Sequence, residues 1–263
     1  MRLLIALPAY NEAAKIREVL KKIPAHFSGI SEILTVVVND GSSDATAEEA
    51  ILGGVGVVSQ IPQKGLAGTY NTILQTALAE KVDFLIHFDA DGQYDPGEIL
   101  LILEPLLHKE ADMVIGDRQV KKLRFMASSK RIGNLTGSFL LKNLLRLGKR
   151  EAFGGGDGFD ASSGFRGLNR GAVETLLGAG GMQSKTTYTH ESLIIAAFSG
   201  LKIKFVPITF LARAEGDSSR LIKSVAGHIF KCFTAIFATW WGFMLRRRKV
   251  RLNQDNTHHH SSF

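Results

Sequence analysis

The sequence has little cysteine and few charged residues. Cys232 is its one cysteine, which excludes an internal disulfide and favours a reducing compartment. Charged residues make up 22% of the 263 positions and hydrophobic residues 45%, a balance that excludes a disordered chain and allows one domain with a full core. The first residues, MRLLIALPAYNE, carry too short an apolar run for a signal peptide, so we expect none.

Negative charge is the scarcer sign, and the formal net charge is +7. A basic chain favours anionic partners such as nucleotides, phospholipid head groups or nucleic acid. Nucleic acid is the least favoured of these, because the basic residues cluster in an amphipathic C-terminal segment that lacks a base-stacking aromatic motif. We therefore expect no nucleic-acid partner.

Short apolar runs alternate with helical patterns in the first half of the chain. The runs predicted as strands are Arg2–Leu7, Ile33–Val38, Val55–Val58, Asp83–Phe88 and Asp112–Gly116. Helices are predicted near Asn11 or Glu12, after Ser43-Asp44, from about Gly65 to Glu80, and after Pro96. This alternation predicts an α/β fold with a mostly parallel sheet flanked by helices.

Polar motifs follow three of the predicted strands. They are PAYNE after the first strand, NDGSSD after the second and DADGQ after the fourth. Because ligands of such sheets bind beyond the carboxyl ends of the strands, we expect these motifs to meet at one edge.

The second half of the sequence is less regular. A glycine-rich loop is predicted over Glu151–Arg166, a helix over His190–Ser199 and a strand over Lys202–Ile208. From Ile222 to Met244 apolar residues recur every three or four positions, which predicts an amphipathic helix followed by the basic run RRRKVR. This helix either lies in the interface of an anionic membrane or packs on the protein's own core or on a second subunit.

The stretch FDADGQYDP places Asp89 and Asp91 one residue apart at the end of a strand. Side chains two apart in an extended segment point the same way, so both carboxylates could bind one Mg²⁺ or Mn²⁺ ion, and Gln93 could add a neutral oxygen. The alternative is an Asp-Gly turn in which the carboxylates only accept hydrogen bonds from backbone amides.

Four motifs in order, LPAYNE, NDGSSDAT, FDADGQYDP and DASSGFRGLNR, resemble those of the family 2 glycosyltransferases. Within that family the sequence looks most like the dolichol- or polyprenyl-phosphate sugar synthases, over roughly residues 2 to 220. The resemblance implies a GT-A fold, a nucleotide-sugar donor, a divalent cation and an inverting transfer to a polyprenyl phosphate. A saccharide or glycolipid hydroxyl remains the alternative acceptor.

The resemblance also assigns roles to individual residues. It places Asp89, Asp91 and Gln93 at the metal, with Asp91, Glu191 and Arg118 in catalysis. The nucleotide-binding set that it implies is Pro8, Tyr10, Glu12, Asp40, Asp89 and Arg213. The acceptor-binding set is Arg118, Arg131, Asp160, Ser163 and Arg166. Arginine suits a phosphate acceptor because its planar fork matches anionic oxygens.

This sequence departs from the family pattern at several positions, among them Gln63, Ala67, Ile73 and Ser219, and two further departures concern the base and the acceptor. Asn39 stands where the family has the first acid of D-D-G-S, which affects the preference for the nucleotide base. Glu191 follows His190 instead of forming the E-D pair of the saccharide-elongating members. Glu191 is the candidate base for a hydroxyl acceptor, whereas a phosphate acceptor is already ionised. A structural role at a helix N-terminus is the alternative for Glu191.

These observations predict three segments: a GT-A domain over residues 1–218, a basic membrane-interface helix over 219–251, and a flexible tail over 252–263. We expect a protein on the cytoplasmic face of the membrane whose partners are a nucleotide sugar, a lipid acceptor and an anionic membrane surface. The sequence leaves the oligomeric state open, a homo-oligomer included.

Overall fold

The computed structural model describes residues 1–147, 153–154, 158–184, 188–212, 237 and 241–242. The strands are β1 (Arg2–Ala9), β2 (Glu32–Asn39), β3 (Gly56–Ser59), β4 (Phe84–His87), β5 (Met113–Asp117), β6 (Phe153–Gly154), β7 (Arg166–Asn169) and β8 (Ile203–Pro207). The helices are α1 (Ile16–Lys21), α2 (Thr46–Leu52), α3 (Gly65–Ala79), α4 (Ile99–Leu107), α5 (Ser128–Leu147), α6 (Arg170–Gly178) and α7 (Tyr188–Phe198).

The strands form one sheet in the order β3-β2-β1-β4-β7-β5-β8-β6. Neighbouring strands run parallel except around β7, which runs antiparallel to both β4 and β5. The prediction of an α/β, mostly parallel sheet is confirmed.

The antiparallel strand was not predicted, and it matters for function. An antiparallel strand begins at the edge where its parallel neighbours end. The residues that lead into Arg166, the first residue of β7, therefore lie at the same edge as the loop that follows β4.

Alternating strand residues enter two cores, one on each face of the sheet. Leu4 and Ala6 pack with residues of α3, α5, α6 and α7. Leu3, Ile5 and Leu7 pack against α1 and α4 on the opposite face. This alternation gives a three-layer arrangement of helices, sheet and helices.

The strands and helices predicted in the first half are present, although α1 begins at Ile16 and not near Asn11 or Glu12; the helix near His190 and the strand near Lys202 are also present. The loop predicted over Glu151–Arg166 is wrong where it contains β6 and the first residue of β7. Helices α5 and α6 were not predicted. Residues 213–220 and nearly all of the predicted amphipathic C-terminal helix lie outside the described residues. Within the described part of the chain, no helix is both long enough and apolar enough to cross a bilayer.

Candidate active site at the carboxyl edge of the sheet

The loop between β4 and α4 carries Asp89 and Asp91, as predicted. Both carboxylates are half-buried at the edge of the sheet. Asp91 Oδ1 accepts a hydrogen bond from the backbone N–H of Gln93 at 3.1 Å. Asp95 accepts from the N–H of Gly97 at 2.9 Å and so caps the turn that leads into α4. Asp95 therefore caps the helix start, and Asp91 makes a backbone hydrogen bond of the kind that the Asp-Gly turn alternative predicts.

Gln93 ties this loop to the chain beyond β8. Its side-chain Nε2 donates to the carbonyl of Leu211 at 2.9 Å, and the N–H of Leu211 donates to the carbonyl of Gln93 at 2.8 Å. The side chain is buried. Its predicted role as a metal ligand stays a prediction, and the geometry adds a structural role in holding the loop.

The residues at this edge fit a divalent cation of the magnesium type. Asp89 and Asp91 supply hard carboxylate oxygens and leave further positions for phosphate oxygens and water, the arrangement in which Mg²⁺ is usually held. Among the described residues, no group of three or more His, Cys, Asp or Glu side chains forms a complete metal site. The binding of a cation by Asp89 and Asp91 therefore stays a prediction.

Asp40 fastens the end of β2 to the start of α3. Its two carboxylate oxygens accept from the backbone N–H groups of Lys64 and Gly65 at 2.8 and 2.9 Å. Asn39, the departure from the family pattern, accepts from Ser42 N–H at 3.1 Å and donates to Ser59 at 3.4 Å. The role predicted for Asp40, contact with the nucleotide base, stays a prediction.

The loops after β1 and β2 interlock. Asn11, whose φ of 56° is left-handed, accepts from Ser43 N–H at 2.8 Å and donates its own N–H to Ser42 Oγ at 2.9 Å. Glu12 donates its N–H to Thr46 Oγ1 at 2.8 Å. The structure thus joins the PAYNE and NDGSSD motifs.

The other members of the predicted nucleotide set have different exposures. Tyr10 is 38% exposed, while Pro8 and Glu12 are half-buried. Arg213 lies outside the described residues. The predicted contacts of these residues with a nucleotide stay predictions.

Arg118 and Asp160 form a buried ion pair. Arg118 Nε and Nη2 donate to Asp160 Oδ2 and Oδ1 at 2.6 and 2.9 Å, and Nη2 also donates to Ser162 at 3.0 Å. Burial opposes the ionised carboxylate, but the Arg118 guanidinium outweighs burial and holds the pKa of Asp160 below its usual value. The Arg118 guanidinium group is thus hydrogen-bonded to Asp160 and Ser162. Its predicted contact with an acceptor phosphate stays a prediction.

Arg166 is fully buried and also holds the segment that precedes it. Its Nε donates to the carbonyl of Ser163 at 2.9 Å, and its Nη2 donates to the carbonyl of Ala161 at 2.8 Å. Its Nη1 donates to Ser192 of α7 at 2.7 Å. Burial lowers the pKa of Arg166, since these acceptors are uncharged. Its direct contact with an acceptor stays a prediction, and the observed bonds indicate a structural role.

An aromatic cluster surrounds Arg166 beneath the edge of the sheet. His87 is its cross-strand partner, and the ring of His87 lies 4.8 Å from that of Tyr70 and 6.5 Å from that of Tyr188. Burial, together with the charge of Arg166, lowers the pKa of His87 to about 3. His87 is therefore neutral at physiological pH, and neither of its ring nitrogens has a hydrogen-bond partner among the described residues.

Glu191 lies in the first turn of α7 and is buried. Its Oε2 accepts from the backbone N–H groups of Gln183 and Ser184 at 2.9 and 2.8 Å. These bonds stabilise the carboxylate and hold the chain that enters the helix, which supports the structural alternative. The predicted role of Glu191 as a base stays a prediction.

The last two members of the predicted acceptor set lie near the start of α5 and in the loop before β7. Arg131 is half-buried in the first turn of α5. Ser163 is fully buried, and its Oγ accepts from Phe165 N–H at 3.4 Å. Their acceptor contacts stay predictions.

Two residues of the site were missed by sequence analysis. Tyr94 Oη accepts from the N–H of Gly164 at 2.9 Å, and burial raises the pKa of Tyr94 to about 12, so the hydroxyl stays protonated. Asp117 ends β5, and burial raises the pKa of this half-buried carboxyl. A signal existed for both, because Tyr94 follows the paired acids and Asp117 precedes Arg118 in G-D-R.

The protein thus has an α/β fold in which loops with acidic residues follow the carboxyl ends of parallel strands. The model described as Glycosyl transferase family 2 matches residues 4–177, and the chain belongs to this family of glycosyltransferases.

The chain is similar to an uncharacterized protein of Methanocaldococcus jannaschii, with 36% identity over 78% of this chain and 79% of that protein. It is 27% identical to the undecaprenyl-phosphate mannosyltransferase of Micrococcus luteus, over 95% of this chain and 98% of the relative.

Among solved structures, the chain is similar to glucosyl-3-phosphoglycerate synthase of Mycobacterium tuberculosis in complex with Mn²⁺, uridine diphosphate and phosphoglyceric acid. The TM-score is 0.66 at 20% identity, over 91% of this chain and 78% of the other. This likeness confirms the predicted GT-A fold.

Proposed function

We propose that this protein is a cation-dependent, inverting glycosyltransferase that moves a sugar from a nucleotide diphosphate to a polyprenyl phosphate at a membrane surface. The observation that carries the proposal is that Asp89 lies beside the segment that precedes β7, at the carboxyl edge of the sheet, with Asp91 two residues further along the same loop. In a family 2 glycosyltransferase this edge is where a donor would bind.

The donor half of the proposal rests on charge. When the bond between sugar and diphosphate breaks, negative charge grows on the leaving phosphate. A divalent cation on Asp89 and Asp91 would supply a Lewis acid at that point. The residues of this chain would hold the cation and orient the diphosphate, since positioning is the main requirement for such a transfer. The solved relative that was crystallised with Mn²⁺ and uridine diphosphate supports this assignment.

Two observations support a polyprenyl phosphate as the acceptor: the similarity to the undecaprenyl-phosphate mannosyltransferase of Micrococcus luteus and the contacts of Glu191. A hydroxyl acceptor must lose a proton to a base, whereas a phosphate acceptor is already ionised at neutral pH. Oε2 of Glu191 already accepts two backbone N–H bonds. A transfer that needs no base therefore agrees best with the site, and it favours a polyprenyl phosphate such as dolichyl or undecaprenyl phosphate.

The surface around α5 supports action at a membrane. Residues 119–150 contain nine lysines and arginines and no acidic residue. Among the side chains of this region whose exposure the structure describes, three large apolar ones are exposed: Phe125 at 50%, Ile132 at 53% and Phe139 at 67%. Ile132 and Phe139 lie two turns apart on the same side of α5. Exposed apolar side chains among cations match an anionic lipid surface.

Turnover of the paired-acid variants tests the donor half. We expect Asp89→Asn and Asp91→Asn each to lower Mn²⁺-dependent transfer to undecaprenyl phosphate by at least about 100-fold, on the scale of losing one electrostatic stabiliser. Asp95→Asn is the matched control in the same loop, because asparagine also caps a helix start, and it should keep near wild-type activity. Equal activity of all three variants would contradict the proposal.

Vesicle binding tests the membrane half. The double variant Ile132→Glu/Phe139→Glu should bind phosphatidylglycerol vesicles at least about 10-fold more weakly than wild type, because two apolar side chains no longer enter the interface. Leu100→Glu/Leu101→Glu is the matched control, since both leucines are exposed, at 40% and 42%, on α4. Loss of binding in both variants, or in neither, would contradict docking through α5.

A further inference from the structure

The segment Asp160–Phe165, here called the shelf, contacts the first of the paired acids. An ideal Cβ built on Gly164 would lie 3.0 Å from Asp89 Oδ2 and 3.2 Å from Oδ1. The Asp89 carboxylate therefore occupies the space that a side chain at position 164 would need. Gly164 is not among the residues with positive φ, so left-handed backbone does not explain the glycine, and the three atoms nearest to the added Cβ all belong to Asp89.

The shelf is held from both ends by buried guanidinium groups. At the start of the shelf, the guanidinium group of Arg118 donates two hydrogen bonds to the carboxylate of Asp160. Arg166 reaches back from its end to the carbonyls of Ala161 and Ser163. Arg166 is in turn fixed to α7 through Ser192. Two planar forks with several donors each fix the position of the backbone more firmly than one bond would.

Two further bonds fix the middle of the shelf. The N–H of Gly164 donates to Tyr94 Oη at 2.9 Å, and the ring of Tyr94 packs against Phe165 and Phe210 at centroid distances of 5.6 and 5.0 Å. The N–H of Ala161 donates to Ser138 of α5 at 3.2 Å. The contact with Asp89 is thus made by a part of the chain that cannot easily move away.

We propose that the shelf is a positioning element for the Asp89 carboxylate, with Gly164 as its contact and Tyr94 as its brace. The inference rests on the proposed function, since it assigns to the shelf the placing of a carboxylate that holds the cation. Groups that orient a metal ligand from behind commonly change metal affinity 10–100-fold when they are mutated. A shift of a few tenths of an ångström in Asp89 is what a methyl group at position 164 would impose.

Mn²⁺ binding to Gly164→Ala tests the inference. Electron paramagnetic resonance would follow Mn²⁺ titrated into the full chain with uridine or guanosine diphosphate. We expect the dissociation constant for Mn²⁺ to rise about 10-fold, with an altered spectrum of the bound ion, while binding of the nucleotide without Mn²⁺ is unchanged. Gly178→Ala is the matched control, because a Cβ there meets nothing within 4 Å.

Tyr94→Phe gives a second, independent variant. It keeps the ring contacts and removes the acceptor of the Gly164 N–H, so it should weaken Mn²⁺ binding in the same direction even if Gly164→Ala folds poorly. Wild-type Mn²⁺ affinity in either variant, once thermal unfolding shows it to be folded, would overturn the shelf alone. A wild-type protein that binds no Mn²⁺ with either nucleotide would overturn the metal dependence and the shelf together.

Discussion

His87 makes the stability of this protein depend on pH in a defined direction. The imidazole is fully buried, and burial together with the charge of Arg166 lowers its pKa from 6.5 to about 3. The unfolded chain therefore binds a proton at His87 below pH 6.5 that the folded chain does not bind. The contribution of neutral His87 to the free energy of unfolding is fully present above pH 6.5 and is lost as the pH falls toward 3.

The size of the loss follows from linkage. Between pH 7 and pH 5 the unfolded state gains about 2 kcal/mol from protonation of one histidine, if the folded pKa lies below about 4. Because His87 is still neutral in the folded chain at pH 5, the exact folded value does not affect this figure. A loss of about 2 kcal/mol is a large part of the 5–15 kcal/mol typical of a folded domain.

Urea unfolding at pH 7, 6 and 5, followed by far-ultraviolet circular dichroism, measures this loss. His87→Phe removes the titrating group and keeps an aromatic ring beside Tyr70. The difference in free energy of unfolding between wild type and this variant should therefore change by about 2 kcal/mol from pH 7 to pH 5. His26→Phe, at an exposed histidine, is the matched control and should keep the wild-type slope. An unchanged slope in His87→Phe would show that His87 is not held neutral by burial.

Two other substitutions give expected outcomes that follow from the same geometry. Asp160→Asn removes the charged partner that Arg118 contacts directly in the buried pair and should cost about 3–5 kcal/mol in urea unfolding at pH 7, whereas a cost under about 1 kcal/mol would contradict a buried pair. Glu191→Gln should reduce transfer to a polyprenyl phosphate by no more than about 10-fold, because no proton is removed from that acceptor, while abolished turnover with intact donor binding would show a base acting on a hydroxyl acceptor.

Much of the sheet could be predicted from sequence, and the reason is local. β1, β2 and β4 are covered on both faces, so their residues are almost continuously apolar and contrast with the polar loops that follow them. The paired acids were predicted for the same reason, since Asp89 and Asp91 come directly after such a run. The polar loops that follow β1, β2 and β4 must then lie at one edge of the sheet, because these strands run parallel.

β7 and α5 could not be predicted because their stability comes from distant partners. β7 is short and begins with a charged residue, Arg166, whose hydrogen-bond acceptors include a serine on α7. α5 contains glycines where it packs closely: a Cβ on Gly137 would lie 3.3 Å from His190 Nε2. Glycine weakens a helical pattern in sequence, although here it permits close packing.

The function of the arginines was hardest to predict. The G-D-R motif shows Arg118 as a cation near the site, but its partner Asp160 is 42 residues away in sequence. Sequence pattern does not reveal whether a guanidinium faces a ligand or a buried carboxylate. The structure shows the latter for Arg118, and uncharged acceptors for Arg166.

The position of Mn²⁺ in crystals grown with the nucleotide diphosphate tests the central claim most directly. Anomalous diffraction at the manganese edge should give a peak within about 2.3 Å of oxygens of Asp89 or Asp91 and of the diphosphate, as expected for a hard cation with oxygen ligands. A nucleotide bound at this edge without a manganese peak beside these acids, or a peak at another site, would contradict it.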